Sequence, residues 1–398
     1  MASVKNKNNI LLATLSMSLS FWYTASIAQT ENTNNQENQT DWKTDRLSIY
    51  SSADYYSWQG DNSTGGRQTV VPVTATYRVG NAEFGLRSAW IESVNTSQGR
   101  AGKVSTISDT ALSAAYTQQL NQGWGIRYNL DYNATTGKAT LSGAEKNAIM
   151  DGNLVQQTRF GEGTNITPGI VVTKVFNPNL AVGIGASYTY RGSYDPNGDV
   201  QNDRLNPGNE THATLQSQYA TQNMLIIGGL IYTKSSTTTV NKQDYFEKGD
   251  RYDANLTGIF ALPYDQRLTA GLRYSTQQPD TYISNITGNF QKESRNVNGD
   301  STYLTLEYAK TWRQKHTAKL LADLVKINAN SYDQFNDLYN AGRKKWQLGV
   351  GYDYRINPKS NATFAIRKME MQDKATPATL VDATYTGWNV SAGLNWLF

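Results

Sequence analysis

Cysteine is absent from the 398 residues, histidine occurs twice and proline nine times. The first absence removes disulfide frameworks, zinc–thiolate sites and haem attachment. Two histidines, His212 and His316, leave little for nucleophilic or acid–base catalysis, and no cofactor or metal is expected. Proline is scarce enough to leave hydrogen-bonded ladders uninterrupted. Long apolar runs are also missing: the chain is 38% hydrophobic with a mean hydropathy of -0.58, which excludes a bundle of membrane helices. Charge of one sign is lacking too. The formal net charge is +4, or +2 once Lys5 and Lys7 leave with a cleaved leader, too little to call for nucleic acid. No phosphate loop or nucleotide fingerprint is found, and Gly183-Ile184-Gly185 lies inside an alternating segment.

The one apolar stretch is at the start. Lys5 and Lys7 precede the run from Ile10 to Trp22, and Ser26-Ile27-Ala28 supplies the small residues a signal peptidase needs. Residues 1–28 read as a signal peptide cleaved after Ala28, hence an exported protein. The Gln-, Asn- and Thr-rich residues 29–43 read as a solvated periplasmic leader, too short for a folded plug.

From residue 44 to 398 one pattern repeats without a domain break: segments of ten to fourteen residues in which every second side chain is apolar or aromatic. The last segment shows it best, with Trp388, Val390, Ala392, Leu394, Trp396 and Phe398 on one face and Asn389, Ser391, Gly393 and Asn395 on the other. Alternation of period two means a strand with one apolar and one wet face. Between segments, short turns and long polar loops take turns. Seven short turns (at Gly80-Asn81, Asn121-Gln122, 177–179, Thr221-Gln222, 263–265, 313–315 and 357–359) and eight long loops (60–66, 95–108, 137–163, 193–209, 236–250, 279–300, 328–344 and 373–383) join sixteen strands. The expected fold is therefore all-β, a transmembrane antiparallel up-and-down β-barrel of about sixteen strands, with fourteen or eighteen left open. Aromatic residues at strand ends form two belts: Phe84, Trp124, Phe176, Trp312 and Trp396 near short turns, and Trp90, Tyr132, Tyr190, Trp346 and Trp388 near long loops. Two belts suit two membrane interfaces.

The strand ending in Trp396-Leu397-Phe398 resembles the C-terminal targeting signal of Gram-negative outer-membrane barrels. That resemblance implies partners in the barrel-assembly machinery, outer-membrane lipid and lipopolysaccharide. The architecture resembles general diffusion porins, which implies a homotrimer. A further likeness, through FGEGTNITPG and VGIGASYTYRGSYDPNGD, is to transporter barrels associated with aromatic-degradation pathways, and it fixes no substrate.

Positions opposite the apolar ones are expected to face the lumen: Arg78, Arg87, Arg127, Arg191, Arg273, Arg355 and Lys319, against Glu83, Asp109, Asp131, Glu307, Asp323 and Asp353. Sixteen strands leave an aqueous channel in which such charges stay solvated. The porin resemblance further implies that the longest loop, 137–163, folds inward. Its Glu145, Asp151, Arg159 and Glu162 would then line a constriction, with the acids facing Arg87 and Arg127.

Two site-specific alternatives are weaker. Asp195, Asn197 and Asp199 space oxygen ligands as a calcium loop does, but Val200 and Asn206 occupy positions where such a loop needs Gly and Glu, so a polar turn is the better reading. Catalysis at His212, beside Glu210, has no supporting motif. The expected function is passive diffusion of small hydrophilic solutes across the outer membrane, with a slight anion leaning from the excess of inward Arg and Lys. Export of a polymer, or a structural or adhesive role, is the alternative.

Overall fold

The computed structural model describes residues 46–398 apart from 62, 98, 202, 285, 286 and 378. The expected signal peptide, its cleavage after Ala28 and the whole of the leader 29–43 lie outside the described residues. Nearly everything else is strand. The first half of the wall comprises β1 (Arg46–Gly60), β2 (Gly65–Val79), β3 (Ala82–Ser97), β4, which runs in two pieces (Arg100–Ile107 and Thr110–Gln119), β5 (Trp124–Ala134), β6 (Asn165–Asn177), β7 (Leu180–Arg191) and β8 (Glu210–Ala220). The second half comprises β9 (Met224–Ser235), β10 (Arg251–Leu262), β11 (Gln266–Gln277), β12 (Ser301–Trp312), β13 (His316–Ile327), β14 (Arg343–Asn357), β15 (Ser360–Asp373) and β16 (Ala383–Leu397). Each strand pairs antiparallel with the next, and β1 returns to β16 through Ser48↔Leu397 to Gly60↔Tyr385, so the sheet closes into a cylinder of sixteen strands. Closure leaves no free edge, which is what a β-structure needs to cross hydrocarbon.

The alternation expected from sequence is the one the register uses. Leu112, Tyr128, Leu130, Ile170, Ile184, Leu230, Leu256, Leu320, Leu348, Val350 and Trp388 all point away from the cylinder axis and are exposed on its outside. A surface this apolar is stable against lipid and not against water. Among the described residues no helix is long and apolar enough to cross a membrane.

All seven short turns are present. Two of them use left-handed backbone at both central residues, Tyr264 and Asp265 (φ 64° and 58°) and Arg313 and Gln314 (φ 51° and 54°), a geometry whose twist matches paired strands. At the opposite end, two of the expected long loops are not long. β1 and β2 are joined by residues 61–64 alone, and residues 95–108, expected as a loop, continue as ladder: β3 and the first piece of β4 pair from Trp90↔Ile107 to Ser97↔Arg100. Polar Ser, Thr and Asn there hid a hairpin whose inner face is covered by another connection, with Ser93, Asn95 and Val104 buried. The other six connections are long. Pieces of three of them (Leu205–Asn206, Thr238–Val240, Gln243–Glu247, Thr281–Ile283 and Phe290–Lys292) join in a separate five-stranded sheet over that end.

Candidate functional site

The connection between β5 and β6, residues 135–164, folds into the cylinder instead of standing over it. Its contacts are with inward-facing residues. Trp58 Nε1 on β1 donates to Met150 Sδ (3.3 Å), and the Gln68 side chain on β2 exchanges two hydrogen bonds with the Gln157 backbone (2.8 and 2.9 Å). From β3, Ser93 Oγ donates to the Ala148 carbonyl (3.0 Å) and Asn95 Nδ2 to that of Asn147 (2.8 Å).

Between these polar pins lie two apolar clusters. In one, Leu141, Ala148 and Phe160 of the loop cover Val70, Ala89, Ile91 and Val104 of β2–β4. In the other, Met150, Leu154 and Val155 cover Trp58, Met369 and Met371, with Tyr56 and Tyr385 at the margin. Val70 and Ile91 have no accessible surface although both face the lumen. This part of the inner wall is oily and is buried by the loop; burying each such side chain is worth about 1.5–3 kcal/mol.

The neck of the loop is tied at one carboxylate. Asp109, in the break between the two pieces of β4, accepts from Gly137 N (2.8 Å), Glu162 N (2.8 Å) and Asn133 Nδ2 (3.0 Å). A short 3-10 segment, Gly143–Ala148, starts at Ser142 with a reciprocal cap from Glu145.

The loop acids do not meet the expected arginines. Glu145 is paired with the loop's own Lys138. The Lys138 hydrogen bond, helped by the Ser142 backbone, holds the Glu145 carboxyl below the usual range. Asp151 reaches across to Arg343 on β14 (2.5 Å), which also holds Asp373. Burial works against ionisation of Asp151, but the Arg343 and Asn153 hydrogen bonds outweigh it and keep this carboxyl low. Glu162 binds Arg191 (2.8 Å) and, more loosely, Arg159 (3.6 Å).

Arg127 lies near the short-turn end, where it shares Glu83 with Arg78 (3.0 and 2.5 Å), far along β5 from the loop. Arg87 projects from the middle of β3, opposite Thr74 and Ala111, and forms no ion pair among the described residues. Wall arginines thus do meet loop acids, but from β7 and β14 rather than from β3 and β5. Arg343 and its neighbour Lys345, which donates to the Asn153 carbonyl, escaped the sequence reading. They stand at 343–345, where a polar loop had been expected to run on to 344.

The remaining inward charges are mostly matched. Arg273 and Arg251 flank Asp253 (each 2.9 Å), Arg267 holds Glu307 (2.8 Å), Lys319 holds Asp353, and Arg367 approaches Asp323 (3.7 Å). Asp131 and Arg355 face inward from β5 and β14, opposite Ser113 and Asn361. This wall is charged and hydrogen-bonded, in contrast to the oily patch under the loop.

The other sequence candidates resolve plainly. Asp199 accepts from Gly143 N (2.9 Å) and Lys146 (2.7 Å), and Asp195 caps the Asn197 backbone (2.9 Å). This segment is the brace that holds the docked loop from above. His212 lies on β8 with Nδ1 3.1 Å from Thr233 Oγ1 and Nε2 3.7 Å from Glu210. His316 stacks on Trp312 and hydrogen-bonds Tyr352 at the short-turn belt.

No protein-family model matches the chain, and no curated protein does. Solved structures that resemble it include the monoaromatic hydrocarbon channel CymD, 11% identical over 89% of each chain with a TM-score of 0.43. The outer membrane channel DcaP of Acinetobacter baumannii is 11% identical, with 89% of this chain and 96% of that one covered and a TM-score of 0.44. Pseudomonas aeruginosa OpdK with vanillate is 9% identical, over 88% and 99%, at 0.42. Likeness at this level transfers no solute to the present chain; the cylinder itself rests on its own strand pairing.

Proposed function

We propose that the chain is an outer-membrane channel for passive diffusion of small hydrophilic solutes, narrowed by the loop 135–164. One observation carries the reading: the exterior is an apolar band while the inner wall from β5 to β14 is lined by paired Arg, Lys, Asp and Glu. A structural or adhesive barrel has no need of a charged interior, whereas a water-filled path through hydrocarbon does. The terminal Phe398 and the export leader are consistent with an outer-membrane address, and the porin likeness extends to a trimer.

The test is single-channel recording and liposome swelling with the purified protein, alongside a variant lacking residues 144–153. Stepwise currents that grow on deletion are expected, because that segment sits inside the cylinder. A sealed barrel would leave the structural reading standing, and conductance indifferent to the deletion would move the constriction elsewhere.

A further inference from the structure

The outside of the wall carries almost no charge in its short-turn half. Among the described residues no carboxylate faces outward there, and two lysines do, Lys174 on β6 and Lys310 on β12. Lys174 is provided for by the protein: its Nζ donates to the Gln122 carbonyl (2.6 Å) and lies 4.9 Å from the centre of the Trp124 ring. Lys310 is exposed, and its ammonium has no hydrogen bond, ion pair or ring contact among the described residues. An ammonium on a lipid-facing wall needs an anion or the headgroup layer beside it.

The surroundings of Lys310 supply a cradle. Register sets it opposite Ala318, a small step between His316 and Leu320, and one rung from the pairs Trp312↔His316 and His316↔Tyr354. Four rings close on one another at that rung. His316 stacks on Trp312 (centroids 5.6 Å apart, planes 14° apart) and lies 5.3 Å from Tyr354 and 6.2 Å from Tyr352, with its Nδ1 2.6 Å from the Tyr352 hydroxyl. The turn that joins Trp312 to His316, closed by Lys315 N donating to the Trp312 carbonyl (3.3 Å), adds two cations. These are Arg313 and Lys315, both exposed and neither in an ion pair among the described residues.

The acids within reach are few. Asp265 is on the neighbouring turn, where its carbonyl accepts from Thr311 N (2.9 Å). Glu307 and Asp353 face inward and are held by Arg267 and Lys319. Three cations thus stand against one acid, with His316 counted neutral. Further round the rim, Lys359 offsets the C-terminal carboxylate of Phe398 in number.

We propose that this stretch of rim, from β12 to β14, is a docking site for the headgroup of an anionic phospholipid. Lys310, Arg313 and Lys315 take the phosphate, and the four rings hold the glycerol backbone at the depth where amphipathic rings settle. A zwitterionic headgroup brings its own ammonium among the same cations and gains less. The short-turn end is the one that the outer-membrane reading turns toward the periplasm, where the leaflet is phospholipid. The site goes beyond the channel reading and stands whether or not the barrel conducts.

The experiment takes the folded full-length protein in detergent with equal amounts of phosphatidylglycerol and phosphatidylcholine and counts retained lipid by native mass spectrometry. Phosphatidylglycerol is expected in excess. Lys310→Gln should lower that excess about fivefold, the preference one cation contributes at an anionic surface, and Lys310→Gln/Lys315→Gln should lower it further. Lys310→Arg should keep it. Lys344→Gln, an equal loss of charge on the outward face at the long-loop end, should leave it unchanged.

Equal retention of the two lipids by the wild type, an undiminished excess in the double variant, or an equal fall with Lys344→Gln overturns the site. Heat-modifiable migration on gels verifies folding, and Lys310→Gln alone decides if the double variant does not assemble. A wild type that passes no current would sink the channel reading and leave this measurement intact.

Discussion

Among single residues, Asp151 has the most direct consequence for the lumen. It joins a loop to a wall nearly two hundred positions away in sequence, through the 2.5 Å contact with Arg343. Its carboxyl is held low by Arg343 and Asn153 in spite of burial. A carboxylate of this kind contributes stability fully above its unfolded value, about 3.9, and loses it as pH falls through the lower folded value. Conductance is therefore expected to stay level from pH 7 to pH 5 and to rise or become noisy below about pH 4, as the clamp releases. Glu145 follows with the same sign. Single-channel recording from pH 7 to 3 measures this, and Arg343→Gln should show the loosened behaviour already at pH 7. A flat profile in both proteins would dissociate Asp151 from the position of the loop.

At the level of elements, the strands were legible because the two faces of each meet different solvents, and a period of two survives any local irregularity. The inward loop was legible only through a likeness to porins. A clue to its docking ground was nevertheless present: alternation fails at Val70-Val71 and at Ala89-Trp90-Ile91, where both faces are apolar, and the otherwise polar loop carries Ile149-Met150 and Leu154-Val155. Two-faced strands and an oily loop are complementary, and the complete burial of Val70 and Ile91 is the result. The ion-pair partners were not legible, since they depend on how far along each strand a charge sits and on where the loop crosses the lumen. Arg127 and Arg343 both face inward and are separated by almost the full height of the wall. The hairpin of β3 and β4 now explains a requirement for a small residue. A methyl group on Gly102 would collide with the backbone of Ala144, Asn147 and Ala148. Gly102→Val should lift the loop from its seat, so that trypsin cuts after Lys146 or Arg159 in the folded barrel and conductance increases. Resistance to the protease equal to that of the wild type would count against this docking.

For the molecule as a whole, the decisive contact is the seam between its first and last strands. Phe398 N donates to the Leu47 carbonyl (2.8 Å) and Leu397 N to that of Lys359 (2.7 Å), while Ile49 lies opposite Trp396. Deleting Phe398 removes the final rung of this seam and the aromatic end group together. The expected outcome is a several-fold drop in heat-modifiable, membrane-embedded protein at unchanged synthesis, read on unheated gels of outer-membrane fractions. Full assembly of the shortened chain would show that the last rung is dispensable. The pairing of Ser48 with Leu397 has a temporal side as well. Closing so long a chain on itself carries the largest entropic cost of any pairing in the wall. Until the last strand is in place, β1 has no partner on one side, and its row of backbone donors and acceptors must be met by water or by another chain.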